Sequence, residues 1–264
     1  MRLFRLLLCL LIIVLGSPSL LTIKAQDQLP RLEPASCWME LPEGVVEGEN
    51  ITCGYLIVPE DRSNPSGSTI QLAYAVLSAS TESSKSDPVI YLAGGPGGNA
   101  VGTIADWVEA PYLQDRDFIL LDQRGTGYSL PSLNCPESEQ EEENATQTCH
   151  DRLISEGINL QAYNSVENAA DVADLRLALG YEEWNLFGIS YGTRLALTVM
   201  RDHPDGVRSV VIDSVYPPEI SSWEEYGVNT ADVFHRLFEA CANDQSAVAT
   251  IPIWRGSSTV SSSS

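Results

Sequence analysis

Three short apolar runs constrain this chain more than anything else in it: PVIYLAG at 88–94, DFILLDQ at 117–123 and WNLFGI at 184–189. Unbroken runs of this length are what strands look like when both faces are covered, and such strands belong to parallel sheets. Parallel neighbours need crossover connections. Helical spacing provides them, since Ala169, Val172, Leu175 and Leu179 recur on one face of 166–179 and Gly180 is placed to terminate the helix. A second helix is expected from about Thr193 to Asp202, stopped near Pro204, with one more strand in RSVVIDSV (208–215). Upstream, CGYLIVP (53–59) and TIQLAYAVLSA (69–79) flank the turn-rich EDRSNPSGS. The second of them alternates Ile70, Leu72, Tyr74 and Val76, and the two read as an antiparallel pair. The fold expected is α/β, a mostly parallel sheet with an antiparallel N-terminal pair.

Between the strand at 184–189 and the helix after it lies Gly188-Ile189-Ser190-Tyr191-Gly192. A serine hydroxyl is a weak nucleophile until a base takes its proton and dipoles hold the oxyanion it creates. G-x-S-x-G at a strand-to-helix turn answers part of that need: the serine stands on a sharp, strained turn, and flanking Gly188 and Gly192 let backbone pass close by. Tyr191 would offer its main-chain N–H at the helix start as one oxyanion donor. The pentapeptide alone is a weak signal; its position between a buried strand and a helix carries the weight. A second donor is expected from the glycine-rich AGGPGGNA (93–100), which directly follows PVIYL. LDQRGTGYS (121–129) ends another strand of the same sheet.

In this order and spacing, GGPGG, DQRGTGYS and GISYGT resemble the proline iminopeptidase and secreted tripeptidyl aminopeptidase branch of the α/β-hydrolases. CGYLIVPEDRSNP is similar to the secreted members, and the resemblance covers about residues 37–242. It implies the α/β-hydrolase fold and an aminopeptidase that takes peptide substrates. It also implies Ser190 as nucleophile and an oxyanion hole made by the N–H groups of Tyr191 and Gly95, with Gly94 and Gly97 in the same loop. Asp122 and Arg124 are expected to brace that loop as structural groups rather than to enter the chemistry. A small-acyl esterase is the nearest enzymatic alternative.

In such enzymes the acid and the histidine follow the serine along the chain. After Ser190 only His203 and His235 remain. His203, in RDHPDG, reads as a solvated helix terminus; His235 lies in ADVFHRLFEACAND, where Val233, Leu237 and Ala240 favour packing. Asp213 ends a strand but has no histidine to serve, and in the family its match is a structural position near the cap hinge. The triad acid and histidine are therefore expected outside this chain, and the fold is expected to be incomplete. Its parts would be a signal peptide (1–25), a partial α/β-hydrolase core (26–218), the start of a helical cap (219–245) and an atypical, disordered tail (246–264). A noncatalytic α/β-hydrolase fragment or binding module is the competing reading, and an incomplete sheet predicts aggregation or self-association.

Arg2 and Arg5 ahead of LLLCLLIIVLG mark an export signal too short to span a bilayer comfortably, cleaved after Ala25 or, alternatively, at Ser19, with an uncleaved anchor as the second reading. A secreted, periplasmic or cell-surface protein follows, with no membrane contact beyond that signal. Formal charge is −21 and grows more negative once Arg2, Arg5 and Lys24 leave. Such a surface repels phosphate backbones, which excludes nucleic acid from the expected partners. With Cys9 lost to the leader, Cys37, Cys53, Cys135, Cys149 and Cys241 remain where disulfides persist. Proximity favours Cys37 with Cys53 and Cys135 with Cys149, leaving Cys241 over, although spacing by itself leaves the connectivity open. The charged PESEQEEENATQT (136–148) reads as a solvated, disulfide-tied loop. No CxxC pair exists and the histidines are far apart, so no metal or cofactor is expected.

Overall fold

The computed structural model describes residues 29–81, 85–140 and 144–244. The signal peptide with its cleavage point and the expected tail at 246–264 lie outside the described residues.

Seven strands form one sheet: β1 (Arg31–Ala35), β2 (Ile51–Pro59), β3 (Thr69–Leu77), β4 (Val89–Leu92), β5 (Phe118–Leu121), β6 (Trp184–Ile189) and β7 (Val207–Asp213). Their spatial order is β1-β2-β3-β5-β4-β6-β7. Along that order β1, β2, β3 and β5 pair antiparallel, whereas β5, β4, β6 and β7 run parallel. The three apolar runs become β4, β5 and β6, side by side at the middle of the sheet, as double burial requires.

Alternation along these strands sorts the core onto two faces. Ile90, Leu92, Ile119, Leu121 and Leu186 join one cluster with Val172 and Leu175 of α2 (Ser165–Leu179) and Leu195 and Val199 of α3 (Tyr191–Asp202). Val89, Phe118 and Leu120 join the other with Val101, Ile104 and Leu113 from two short 3-10 segments. Asn164 caps α2 by accepting the N–H groups of Val166 and Glu167, and Gly180 ends it at φ +81°, the left-handed conformation anticipated from its place in the sequence.

Three local expectations need correction. The antiparallel portion is larger than a pair, because β1 adds to β2; Pro34 lies within it, which an edge strand tolerates since a missing N–H costs nothing there. The charged 136–148 stretch is tied by a Cys135–Cys149 disulfide but is not all loop. Its second half begins α1 (Ala145–Ser155), which buries only Cys149 and Leu153, one turn apart. Finally, the spacing of Val233, Leu237 and Ala240 predicts a packed face on α4 (Ser222–Asn243), yet Val233 and Leu237 are more than half exposed and Ala240 is exposed too. The stripe exists, but among the described residues no strand follows α4 to carry it back onto the sheet.

Cys37–Cys53 forms the other disulfide, tying the segment after β1 to β2, and Cys241 is free. No helix of the described residues is long and apolar enough to cross a membrane.

Candidate active site

The turn at Ser190 follows from crowding. A Cβ at Gly188 would run into the main chain of Gly192, and one at Gly192 would run into the carbonyl of Leu92 on β4. Only two glycines let β6 turn so tightly and let α3 start against the neighbouring strand. Ser190 absorbs the bend at φ 56° and ψ −121°, a conformation that non-glycine residues adopt at a cost of about 1–3 kcal/mol. Its N–H donates to the Asp213 carbonyl at 2.9 Å, its own carbonyl accepts from Thr193 Oγ1 at 2.7 Å, and the residue is exposed.

Tyr191 opens α3, so its N–H has no intrahelical acceptor. Across from it runs the glycine loop. A Cβ built on Gly94 would lie 3.0 Å from Ser190 Cβ and 3.6 Å from its Oγ, which places this loop directly beside the serine. Gly95 and Gly97 hold φ values of +117° and +105°, and Gly98 N–H closes the turn on the Gly94 carbonyl at 3.1 Å. Ser190, Tyr191, Gly94 and Gly95 are thus gathered at one end of the parallel strands.

Asp122 and Arg124 serve different partners. The Asp122 carboxylate is fully buried and accepts N–H groups from Val101 at 2.9 Å, at the end of the glycine loop, and from Tyr128 at 2.8 Å. Burial pushes this carboxyl up to about 6 despite those N–H donors. Arg124 faces the other way, onto α2 rather than onto the glycine loop. Its guanidinium, with no exposed surface, pairs bidentately with Asp171 at 2.7 and 2.8 Å and donates to the carbonyls of Glu60 and Ala162. The residue that holds the start of the loop is Gln123, whose Nε2 donates to the Ala93 carbonyl at 3.0 Å. Gln123 stands inside the DQRG stretch, so adjacency to Asp122 was the available signal. Asn168 and Asp171 could have been found as polar residues beside the buried stripe of α2.

Among the described residues no side chain is hydrogen-bonded to the Ser190 hydroxyl as a base would be. His203 closes α3 at its far end, about 20 Å along the helix from Ser190. His150 bonds Asp151 on α1, and His235 sits on exposed α4 within 3.7 Å of Glu239. Among the described residues, none of the chain's three histidines hydrogen-bonds Ser190. Asp213, at the end of β7, is exposed, and its Oδ1 accepts from Ser214.

Two hollows flank the turn. One, of about 580 Å³, lies between the segment after β7 and α4 and is walled by Val215, Tyr216, Pro217, Ile220, Val233 and Phe234. The segment is held to α3 by Arg194, which donates to the carbonyls of Pro217, Pro218 and Ile220 while its guanidinium stacks 4.8 Å from the Tyr216 ring centre. The other, of about 490 Å³, lies between the glycine loop, the loop after β5 and the first turn of α2. Cys135, Glu137 and Cys149 cluster elsewhere, but both sulfurs are spent in a disulfide and cannot ligate a metal.

The chain is similar in sequence to known proteins. The chain is 32% identical over 193 residues to a tripeptidyl aminopeptidase of Streptomyces coelicolor, covering 64% of this chain and 36% of that protein. It is 25% identical over 239 residues to the serine protease Hip1 of Mycobacterium tuberculosis, covering 81% and 45%. A solved proline iminopeptidase-related protein from Thermus thermophilus aligns at 23% identity with a TM-score of 0.38, over 60% of this chain and 43% of that one. The chain therefore spans less than half the length of each of these relatives. The family model of the alpha/beta hydrolase fold matches residues 87–251, from just before β4 through the serine turn and beyond, and the chain belongs to that family.

Proposed function

We propose that this chain carries the nucleophile of an exported serine peptidase, of the aminopeptidase type, with Ser190 attacking the scissile carbonyl. The N–H groups of Tyr191 and Gly95 hold the resulting oxyanion, residues 26–218 form the hydrolase core and 219–245 begin a cap. One observation carries the reading: Ser190 is exposed at φ 56° on a strand-to-helix turn, with Gly94 packed against it. The peptidase names of the relatives support the substrate class, and two disulfides support an oxidising compartment. The acid and base are supplied by residues outside this chain, so the chain alone turns over peptides poorly. An oxyanion hole by itself still retains weak catalysis.

A fluorophosphonate probe tests the nucleophile. Wild type is expected to label, slowly, and Ser190→Ala not at all. Equal labelling of the two proteins, or none of either, overturns the reading. The second reading, a noncatalytic binding module, is favoured by the absence, among the described residues, of a base at Ser190, and absent labelling combined with retained peptide binding would establish it.

A further inference from the structure

Ser190 follows β6, whose neighbours are β4 on one side and β7 on the other. The loops after β4 and β5 therefore lie to one side of the serine and the β7–α4 connection to the other. A substrate that extends both ways from the scissile bond meets two different chemistries. The β7 side is mainly apolar. The β4–β5 side is hydrogen-bonding, and among the described residues no carboxylate lines that cleft. Arg124 adjoins the cleft, but its guanidinium is buried and is neutralised by Asp171.

Four primary amides line this cleft; Asn164 is committed to capping α2 and Asn134 is exposed beside Leu133, while the orientations of Gln123 and Asn168 are set by partners that can act in only one sense. The Ala93 carbonyl can only accept, so Gln123 turns Nε2 to it and has Oε1 left. The Arg124 N–H can only donate, so Asn168 turns Oδ1 to it at 3.2 Å and has Nδ2 left. Among the described residues neither remaining group has a hydrogen-bond partner, and no buried side-chain polar atom is left unsatisfied, so both groups are open to solvent or a ligand. Beside them Ser165 Oγ and Tyr191 Oη share one hydrogen bond of 2.8 Å, which leaves a hydroxyl proton free.

We propose that this cleft is a subsite for the substrate's main chain. Gln123 Oε1 accepts a peptide N–H, Asn168 Nδ2 donates to a peptide carbonyl, and the Ser165–Tyr191 pair serves the next polar group. The ligand class is an uncharged peptide backbone carrying small or polar side chains. This deepens the peptidase reading and rests on it for the identity of the ligand, but its test needs no turnover.

The probe is N-acetyl-trialanine amide, titrated to roughly 10 mM into 15N-labelled protein, a range suited to the weak affinity of so small a ligand. The side-chain NH2 signals of Gln123 and Asn168 are expected to shift together along one binding curve. Asn168→Asp keeps the acceptor for the Arg124 N–H but removes the donor, and is expected to weaken binding about five- to tenfold. A depsipeptide with one ester in place of an amide, added to unaltered protein, should lose a similar factor by removing one N–H. That arm does not depend on any variant folding. Silent Gln123 and Asn168 amides, or peptide and depsipeptides of equal affinity at every ester position, overturn the subsite. If Ser190 labels with fluorophosphonate while the amides stay silent, the subsite fails and the hydrolase reading stands. Shifted amides with an unlabelled Ser190 uphold the subsite and remove the nucleophile.

Discussion

Helix α3 buries Leu195, Ala196 and Val199 almost completely, whereas α4 leaves Val233 64% and Phe234 and Leu237 51% exposed. Both helices carry an apolar stripe at helical spacing. What separates them is the chain that follows. β7 begins a few residues after α3 and must lie parallel to β6, so the crossover presses α3 onto the sheet. Nothing comparable follows α4 among the described residues. A hydrophobic pattern therefore says which side of a helix seeks cover, while topology decides what covers it.

The difference can be broken or sharpened by experiment, beginning in the closed region. Asp171→Ala leaves Arg124 buried without its bidentate partner, and urea unfolding should register a loss of about 3–5 kcal/mol. A loss within experimental error would show that the pair is not closed off from water. In α3, Leu195→Ala opens a cavity in the main core and is expected to cost about 3 kcal/mol.

Asp122 gives a pH signature of comparable or smaller size. Its carboxyl is raised from 3.8 to about 6 in the folded protein, so the folded state holds a proton that the unfolded state has already released. Its contribution to stability is present below about pH 3.8 and lost as pH rises through 6, at most about 3 kcal/mol. Surface carboxylates such as Asp61 and Asp202 are lowered by hydrogen bonds to Ser63 and Arg201, and work in the opposite sense, losing stability as pH falls. Measuring unfolding free energy for wild type and Asp122→Asn between pH 4 and 7 isolates the difference. Parallel curves would refute the buried-carboxylate account. The smallest effect belongs to the open region: Leu237→Ser on α4 should change stability by no more than about 0.5 kcal/mol. A drop as large as that of Leu195→Ala would mean that α4 is covered in solution.

Much of this was legible beforehand because it is local. β6 coincides with the apolar run at 184–189, and Gly180, Gly188 and Gly192 stand where backbone conformation or close approach demands glycine. What escaped is either weakly patterned or long-range. β1 is five residues with a proline among them, and α1 has only two buried side chains in a polar stretch. The partner of Arg124 lies 47 residues away, so no inspection of DQRG could have named Asp171. The role of Gln123 depends on a carbonyl 30 residues earlier, at Ala93. The serine turn was visible because its constraint is written in five consecutive residues; the clefts beside it were not, because each is assembled from several separate segments.

Thr193 Oγ1 donates to the Ser190 carbonyl and accepts the N–H of Tyr216, both at 2.7 Å. One hydroxyl is therefore common property of the serine turn and of the connection leaving β7. Whatever is grafted after β7 in a chimera can change its side chains freely, but it must bring a main-chain N–H to position 216. A proline there would strand the threonine and loosen the seating of the serine from well along the chain.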